Sequence, residues 1–457
     1  MGLRALIGTI AVAVSVTSCA WAQPEGSAPM HAGFSRVSIT PPLGTRMMGF
    51  GGRDMERGCT GIHDDVFVRA LYLKQGGEAA LILAYDLCFI GEAETRRFKA
   101  ALHGELGLQP RQVLLNASHS HVGPSVGTWY RAPTDERYID RLEAATLKAA
   151  GEAQASARPV TVSAGVTRST VPLNRRRPEG GNMLLAPNPD GFVYDALPVV
   201  IFRGTDGAPV CVLFSISCHP SMVSGWEISG EYPGAAMSQI DEHFGGPCSL
   251  FLQGVGGDAK PRLIGEGFDR FQPATWEMVN EVGATLAGEV LECVAKGLSP
   301  APPHLASAIT KVKWPTEPPL SRDEYAAIAD DAGQPPVRRE YARDLVATLD
   351  AGKKLPTAVE LTLQGIRIGE GLRVVGLEGE AVAGYGPVMA GFFGEGLTLP
   401  LGYCNGEGLY LPTSEQIPQG GYEVYSFWEY GLPAQLTPGF EDILREGLRR
   451  LRGEGVR

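Results

Sequence analysis

Two short apolar runs, each ending in histidine, constrain this chain most. Residues 112–116 read QVLLN and lead into Ala117-Ser118-His119-Ser120-His121-Val122-Gly123-Pro124, and residues 211–222 read CVLFSISCHPSM. Unbroken apolar runs of this length fit strands buried on both faces, since a helix would need ten residues or more. Pro220 stops the second run, so His219 lies where a strand becomes a loop, as do His119 and His121. Strands of this kind need a covering layer on each side, and the rest of the sequence supplies both periodicities. Residues 65–86 hold two apolar runs split by Gln75-Gly76-Gly77, a hairpin signal. Residues 92–107 and 134–154 have helical spacing, the second capped by Thr134 or Asp135. Strands are expected near 159–166, 197–203 and 209–216, then a helix at 233–245, strand SLFLQ before the Gly-rich QGVGGD, and a helix at 274–296. AVELTLQGIRIG and LRVVGLEGE are further strands.

Length alone, 457 residues, would allow about three domains. The mixed, not strictly alternating order predicts instead an α/β (mixed α+β) fold: a large single domain with more than one sheet and an inserted helical segment. The composition changes near Leu298-Ser299-Pro300-Ala301-Pro302-Pro303, and a charged helical pattern runs from about 321 to 352. The expected division is a first part of the domain at 23–300, a linker and helical insertion at 301–355, and a second part of the domain at 356–457.

Arg4, the apolar residues 5–16 and Ala20-Trp21-Ala22 before Gln23 read as an export signal over 1–22, too short to span a bilayer. A secreted or periplasmic protein is expected. The alternative is a lipoprotein anchored through Cys19, since Val16-Thr17-Ser18-Cys19 resembles a lipobox. Residues 1–22 hold one cation, Arg4, and no acid, so their removal takes the formal charge from −11 to −12. Such a balance argues against a nucleic-acid or anionic-membrane partner. Any membrane contact would be peripheral. The eight cysteines are scattered without C-x-x-C spacing, which argues against a disulfide scaffold. Cys88, Cys211 and Cys293 sit in apolar runs as small core residues.

In a strand, His119 and His121 face the same side. Two imidazoles at a strand end can begin a zinc site, or they can be two polar side chains hydrogen-bonded at the start of a loop. His219 repeats the pattern, and three histidines at strand ends strengthen the metal reading. A zinc site wants an oxygen ligand as well, and Glu380 in GLEGEAVAGYG, just after a strand, is the best candidate. Its alternative is a solvated turn carboxylate. QGVGGDAKPRL could face backbone N–H groups toward an anion or be a simple tight turn; it is neither a P-loop nor a Rossmann turn. Asp86, at the end of ALILAYD, is a candidate to orient a histidine. There is no G-x-S-x-G, no H-E-x-x-H and no cysteine-protease signature.

The order of these pieces resembles the catalytic region of the neutral/alkaline non-lysosomal ceramidase family, from Ala32 to about Tyr422. AGFSRVSITPPLGTRMMGFGGR resembles its opening strand and Met-Gly-rich loop, and CTGIHDDVFVRALYL the segment that follows. NASHSHVGP is close to its H-T-H-S-G-P. VPLNRRRPEGGN, SCHPSM, ISGEYPG, QGVGGDAKPR, GLEGEAVAGYG and GGYEVYS follow in the family's order. The resemblance implies that His119, His219, Glu380 and Tyr422 are zinc ligands, with Tyr410 the nearby alternative to Tyr422. It implies that His121 stands beside the metal, as general acid/base, and that Arg175 faces the substrate carbonyl. The activity it implies is zinc-dependent hydrolysis of the amide of an N-acyl substrate, ceramide-like or an N-acyl amino acid. A zinc-binding homologue without catalysis, or a hydrolase of an ester or lactam, is the alternative.

Two departures bear on ceramide itself. The family's Gly-Asp-x-Ser-Pro-Asn is Gly257-Asp258-Ala259-Lys260-Pro261-Arg262 here, and the family's C-terminal sandwich domain has no counterpart in the 457 residues. Lys260 is either an exposed turn residue or a cation that draws a substrate carboxylate or phosphate, helped by Arg262.

Overall fold

The first histidine-bearing run becomes an edge strand of a large sheet, and the second lies next to the opposite edge. The computed structural model describes residues 28–51, 53–54, 56–127, 134–406 and 409–457. The expected export signal over 1–22, with Cys19, lies outside them. The strand order is Ser249–Gln253, Pro209–Ile216, Ala196–Gly204, Arg158–Arg168, Met30–Ser38, Phe67–Gln75, Glu78–Tyr85 and Val113–Ala117, with Ser299–Pro300 added beside Arg158–Arg168. The inner pairs are antiparallel and the outermost pair at each edge is parallel. Parallel neighbours need a crossover, and the helices Glu231–His243 and Glu92–Leu106 provide the two.

The sheet curls until its edges meet. Asn116 Nδ2 donates to the Gln253 carbonyl at 3.3 Å, and its Oδ1 accepts from the Gln253 N–H at 2.8 Å. This brings the C-terminal ends of Val113–Ala117, Pro209–Ile216 and Ser249–Gln253 to one place.

One face of the main sheet is covered by helices. Glu136–Ala155 buries Tyr138, Ile139, Leu142, Ala145, Ala149 and Ala153, a stripe at three- and four-residue spacing, and Asp135 caps it by accepting from the Arg137 N–H. Each large apolar side chain buried this way contributes about 1.5–3 kcal/mol. The other face packs on a second sheet of Pro303–Pro315, Ala358–Gly369, Leu372–Leu377 and Leu397–Leu401. Leu114, Ile82, Leu213 and Leu250 from the first sheet meet Ile366, Leu372, Val374 and Leu399 from the second. Helices Tyr385–Phe393 and Phe440–Gly453 cover the far side of the second sheet. The order of layers is helix, sheet, sheet, helix. It explains why VLLNA carries no exposed face: a sheet-packed layer lies on one side and helices on the other.

The α/β fold with more than one sheet, forming one large domain, is the architecture observed. The stretch 301–355, read as linker and helical insertion, opens with a strand, Pro303–Pro315, before its helices. The single helical pattern at 321–352 is two helices, Arg322–Asp330 and Pro336–Asp350, because the chain turns at Gly333 and Pro335. They form a small separate core of Tyr325, Ala329, Tyr341, Ala342 and Leu345. The seven cysteines of the described residues are all buried. No helix among the described residues is long and apolar enough to cross a membrane.

Candidate metal centre

His119 and His219 leave the gathered ends of the main sheet, and the second sheet contributes Glu380 just beyond Leu372–Leu377. Glu380–Ala381 pairs in parallel with Tyr410–Leu411, which fixes Glu380 beside Tyr410. His119 is held in the left-handed region at φ 67°, a conformation that non-glycine residues adopt at a cost and that recurs at functional sites.

Both imidazoles are oriented by backbone carbonyls. His119 Nδ1 lies 3.0 Å from the Cys88 carbonyl oxygen, and His219 Nδ1 lies 2.7 Å from that of Gly256. A carbonyl only accepts, so each Nδ1 carries the proton and each Nε2 presents a lone pair. Those lone pairs converge on one carboxylate oxygen. Glu380 Oε2 is 3.2 Å from His119 Nε2 and 3.1 Å from His219 Nε2. Burial pushes the His219 imidazole down to about 3.

Lone pairs and a carboxylate gathered this closely call for a cation between them. Zinc bonds of about 2.0–2.2 Å in a tetrahedron would separate ligand atoms by roughly 3.3–3.5 Å. The observed separations of 3.1 and 3.2 Å are close to that edge. The donor set, two imidazole nitrogens and a carboxylate oxygen, suits zinc, and the residues present fit it.

Of the tyrosines weighed from the sequence, Tyr410 is the one that approaches a histidine nitrogen. Its hydroxyl lies 3.2 Å from His219 Nε2, whereas the Tyr422 hydroxyl donates to Glu429 Oε2 at 2.8 Å. Of the two tyrosines weighed from the sequence, the structure therefore brings Tyr410 to the histidines and turns Tyr422 toward Glu429. A third, Tyr430, donates to Glu380 Oε1 at 2.7 Å and fixes the carboxylate from behind.

His121 Nε2 is 3.0 Å from His119 Nε2, but no carbonyl locks this ring: its Nδ1 is buried without a partner. Burial, and then the neighbouring His119 and His219, push its imidazole well below the usual value. The Met-Gly-rich loop packs on it. Gly49, at φ 127°, leaves so little room that an added Cβ would fall 2.5 Å from the His121 Cα. The Phe50 ring meets the imidazole edge-on at 4.8 Å, and Arg53 Nη2 donates to the His121 carbonyl at 3.1 Å.

Arg175 sits at a β-bulge in Pro172–Glu179, where the register against Asn182–Asn188 shifts between Asn174 and Arg176. The extra residue re-aims the side chain inward. Its Nε donates to Glu423 Oε1 at 2.8 Å, Arg176 Nη1 donates to Glu423 Oε2 at 2.6 Å, the guanidinium also hydrogen-bonds Tyr410, and Arg175 Nη2 is buried with no hydrogen-bond partner among the described residues. The guanidinium stands 5.3 Å from the Tyr410 ring centre.

These groups open onto a cavity of about 400 Å³ lined by His119, His121, Arg175, Lys260, Glu380, Tyr410 and Tyr422, with Phe50, Phe89 and Leu185 as its apolar part. A larger cavity, about 640 Å³, lies on the Arg176 and Asp258 side and touches none of the histidines or Glu380. Lys260 is a wall residue, not an exposed turn lysine. Arg262 is not in the wall; its guanidinium reaches the Pro172 carbonyl at 3.4 Å. Asp86 orients no histidine in this arrangement, because Oδ2 takes the Arg69 guanidinium at 2.8 Å and the Phe67 N–H at 2.9 Å. The Gly-rich turn is a scaffold and not an anion nest. The N–H groups of Gly254, Gly256 and Gly257 go to backbone carbonyls, and an added Cβ at Gly256 would fall 2.5 Å from the Cys218 nitrogen. Close approach of this turn is what places the Gly256 carbonyl on His219.

Among solved structures, the chain is similar to a neutral ceramidase from Pseudomonas aeruginosa, with a TM-score of 0.70 over 92% of this chain and 73% of that one, at 19% identity. It is similar also to a ceramidase complexed with C2, with a TM-score of 0.70 over 92% and 74% of the two chains, at 17% identity. The chain has the neutral ceramidase fold. No family model matches the sequence, and no curated protein does. At this identity the likeness is one of architecture: the ceramidase fold gathers strand ends from two packed sheets, and in this chain those ends carry His119, His219 and Glu380.

Proposed function

We propose that this chain is a divergent relative of the neutral ceramidases: an exported, zinc-dependent hydrolase that cleaves the amide of an N-acyl substrate. The observation that carries the reading is the convergence of two carbonyl-oriented Nε2 atoms on Glu380 Oε2 at 3.1 and 3.2 Å. The ceramidase fold and a partly apolar cavity support an acylated substrate. Export rests on the sequence of residues 1–22 alone.

His119, His219 and Glu380 would hold the metal, with Tyr410 as the phenolic ligand in place of Tyr422. Bound zinc supplies a Lewis acid and lowers the pKa of water to about 7. The chain's own groups then divide the remaining work. Arg175 Nη2, left without a partner, donates to the carbonyl oxygen as negative charge develops there; losing one such donor costs about 10²–10³ in rate. His121, unlocked at Nδ1 and beside the cluster at Nε2, moves a proton to the leaving amine nitrogen. Phe50, Phe89 and Leu185 exclude water and receive acyl carbon.

The test is turnover of a panel containing N-acyl sphingoid bases, N-acyl amino acids, an ester and a lactam, by protein stripped of metal and by protein reconstituted with zinc. Amide cleavage that disappears with stripping and returns with zinc is expected. Folded, zinc-loaded protein that leaves every amide intact would favour the non-catalytic reading, and cleavage confined to the ester or lactam would move the bond.

A further inference from the structure

We infer that Lys260 is a specificity residue that receives a carboxylate on the amine half of the substrate, which makes the substrate an N-acyl amino acid. This rests on the amide-hydrolase reading above and names its substrate class. The argument starts from a three-stranded sheet at the cavity wall, in the order Ala259–Pro261, Pro172–Glu179, Asn182–Asn188. The middle strand carries Arg175 at its bulge. One edge strand carries Lys260, opposite Leu173, and the other carries Leu185. Arg175, Lys260 and Leu185 all line the same cavity of about 400 Å³.

The two edges differ in chemistry. Leu185, on the far edge strand, is 51% exposed and gives that edge an apolar side chain at the cavity. On the Lys260 edge, the contact described for the ammonium is the Phe271 ring, whose centre is 5.2 Å from Nζ. Among the described residues, no carboxylate lies within ion-pair distance of Nζ. The acids of the wall are engaged elsewhere: Glu380 with His119, His219 and Tyr430, and Glu429 with Tyr422. Glu231 attracts Lys260 only at longer range; burial pushes its carboxyl up to about 8, and its Oε1 accepts the Met222 and Val223 N–H groups. Burial pushes the Lys260 amine down to about 8, so near neutral pH it is still largely an ammonium, and with no carboxylate at ion-pair distance among the described residues a ligand anion would stabilise it.

An N-acyl amino acid fits this layout. Its acyl chain would follow the apolar edge, its carbonyl would meet Arg175, and its carboxylate, attached one carbon from the amide nitrogen, would reach Lys260. Hydrolysis adds the water oxygen to the acyl carbon and breaks the C–N bond. The nitrogen takes a proton, and a fatty acid and an amino acid are released.

The experiment compares N-lauroylglycine with N-lauroylethanolamine, which share the acyl chain and the amide but differ in carboxylate against hydroxyl. Zinc-reconstituted wild type should favour the glycine compound in kcat/KM by roughly tenfold or more, the scale of one charge-assisted hydrogen bond. Lys260→Met should lower that ratio by about tenfold or more, mainly through KM, and Lys260→Arg should restore most of it. An unchanged ratio in Lys260→Met, or wild type that prefers the ethanolamide, overturns the inference while the hydrolase reading survives. If neither amide is cleaved, the full panel above decides the hydrolase reading separately, and calorimetric titration of N-lauroylglycine still decides the role of Lys260. Binding about tenfold tighter to wild type than to Lys260→Met supports it, and equal binding or none overturns it.

Discussion

Replacing Tyr410 by phenylalanine removes one oxygen, 3.2 Å from His219 Nε2, and leaves the ring in place. If that oxygen completes a donor set of two imidazoles and Glu380, the variant keeps three ligands of four. Groups that act on a metal only through its ligands cost about 10–100-fold in affinity when lost. A direct ligand should therefore cost at least this much, roughly 1.4–2.7 kcal/mol. Tyr422→Phe removes a hydroxyl whose partner is Glu429, at 2.8 Å. Its cost is that of a hydrogen bond to a charged group, about 1.5–3 kcal/mol, and it should fall on stability and not on zinc. The two variants are separated by competition for zinc against a chromophoric chelator, run beside urea unfolding of the metal-free proteins. Tyr410→Phe should lose zinc affinity by tenfold or more with a nearly unchanged metal-free midpoint; Tyr422→Phe should show the reverse. Greater loss of zinc in Tyr422→Phe would return the ligand to that residue and refute the reasoning from distance.

Glu423→Gln should destabilise the fold by about 3–5 kcal/mol, because one buried carboxylate answers both Arg175 and Arg176; an unchanged urea midpoint would contradict this. Glu231→Gln tests a pH dependence. Burial raises the folded-state pKa of Glu231 to about 8 from the ordinary 4.5, so between those values the unfolded chain has released a proton that the folded chain keeps. The stability this group contributes is full below about pH 4.5 and declines as pH rises toward 8. Glu231→Gln should flatten that decline and melt above wild type at pH 7.5. Parallel stability curves for the two proteins across this range would count against it.

The layers of the fold were legible because they rest on periodicity. VLLNA and CVLFSIS read as buried strands and are buried strands, and Glu136–Ala155 shows its apolar stripe in the sequence. Pro303–Pro315 was hidden by its prolines, which read as a linker, although a strand can begin and end on proline where no ladder N–H is needed. The histidines and Glu380 stood out because each follows a strand. What orients them did not, since the Cys88 and Gly256 carbonyls are backbone atoms and carry no residue signal. Tyr430 lies 50 residues from Glu380, and nothing local marks the contact. Choosing between Tyr410 and Tyr422 needed the pairing of Glu380–Ala381 with Tyr410–Leu411, a long-range parallel contact that no spacing encodes. Glu423 carried a faint signal as an acid in the aromatic segment GGYEVYS, but its two arginine partners are about 250 residues away in sequence.

The most direct test of the metal centre is the zinc content of protein dialysed against equimolar zinc, measured by elemental analysis for wild type and three variants. Wild type should hold about one zinc per chain, His119→Ala and His219→Ala should hold little, and His121→Ala should hold as much as wild type. Wild type without zinc, or His121→Ala losing zinc as fully as His119→Ala, would contradict the account.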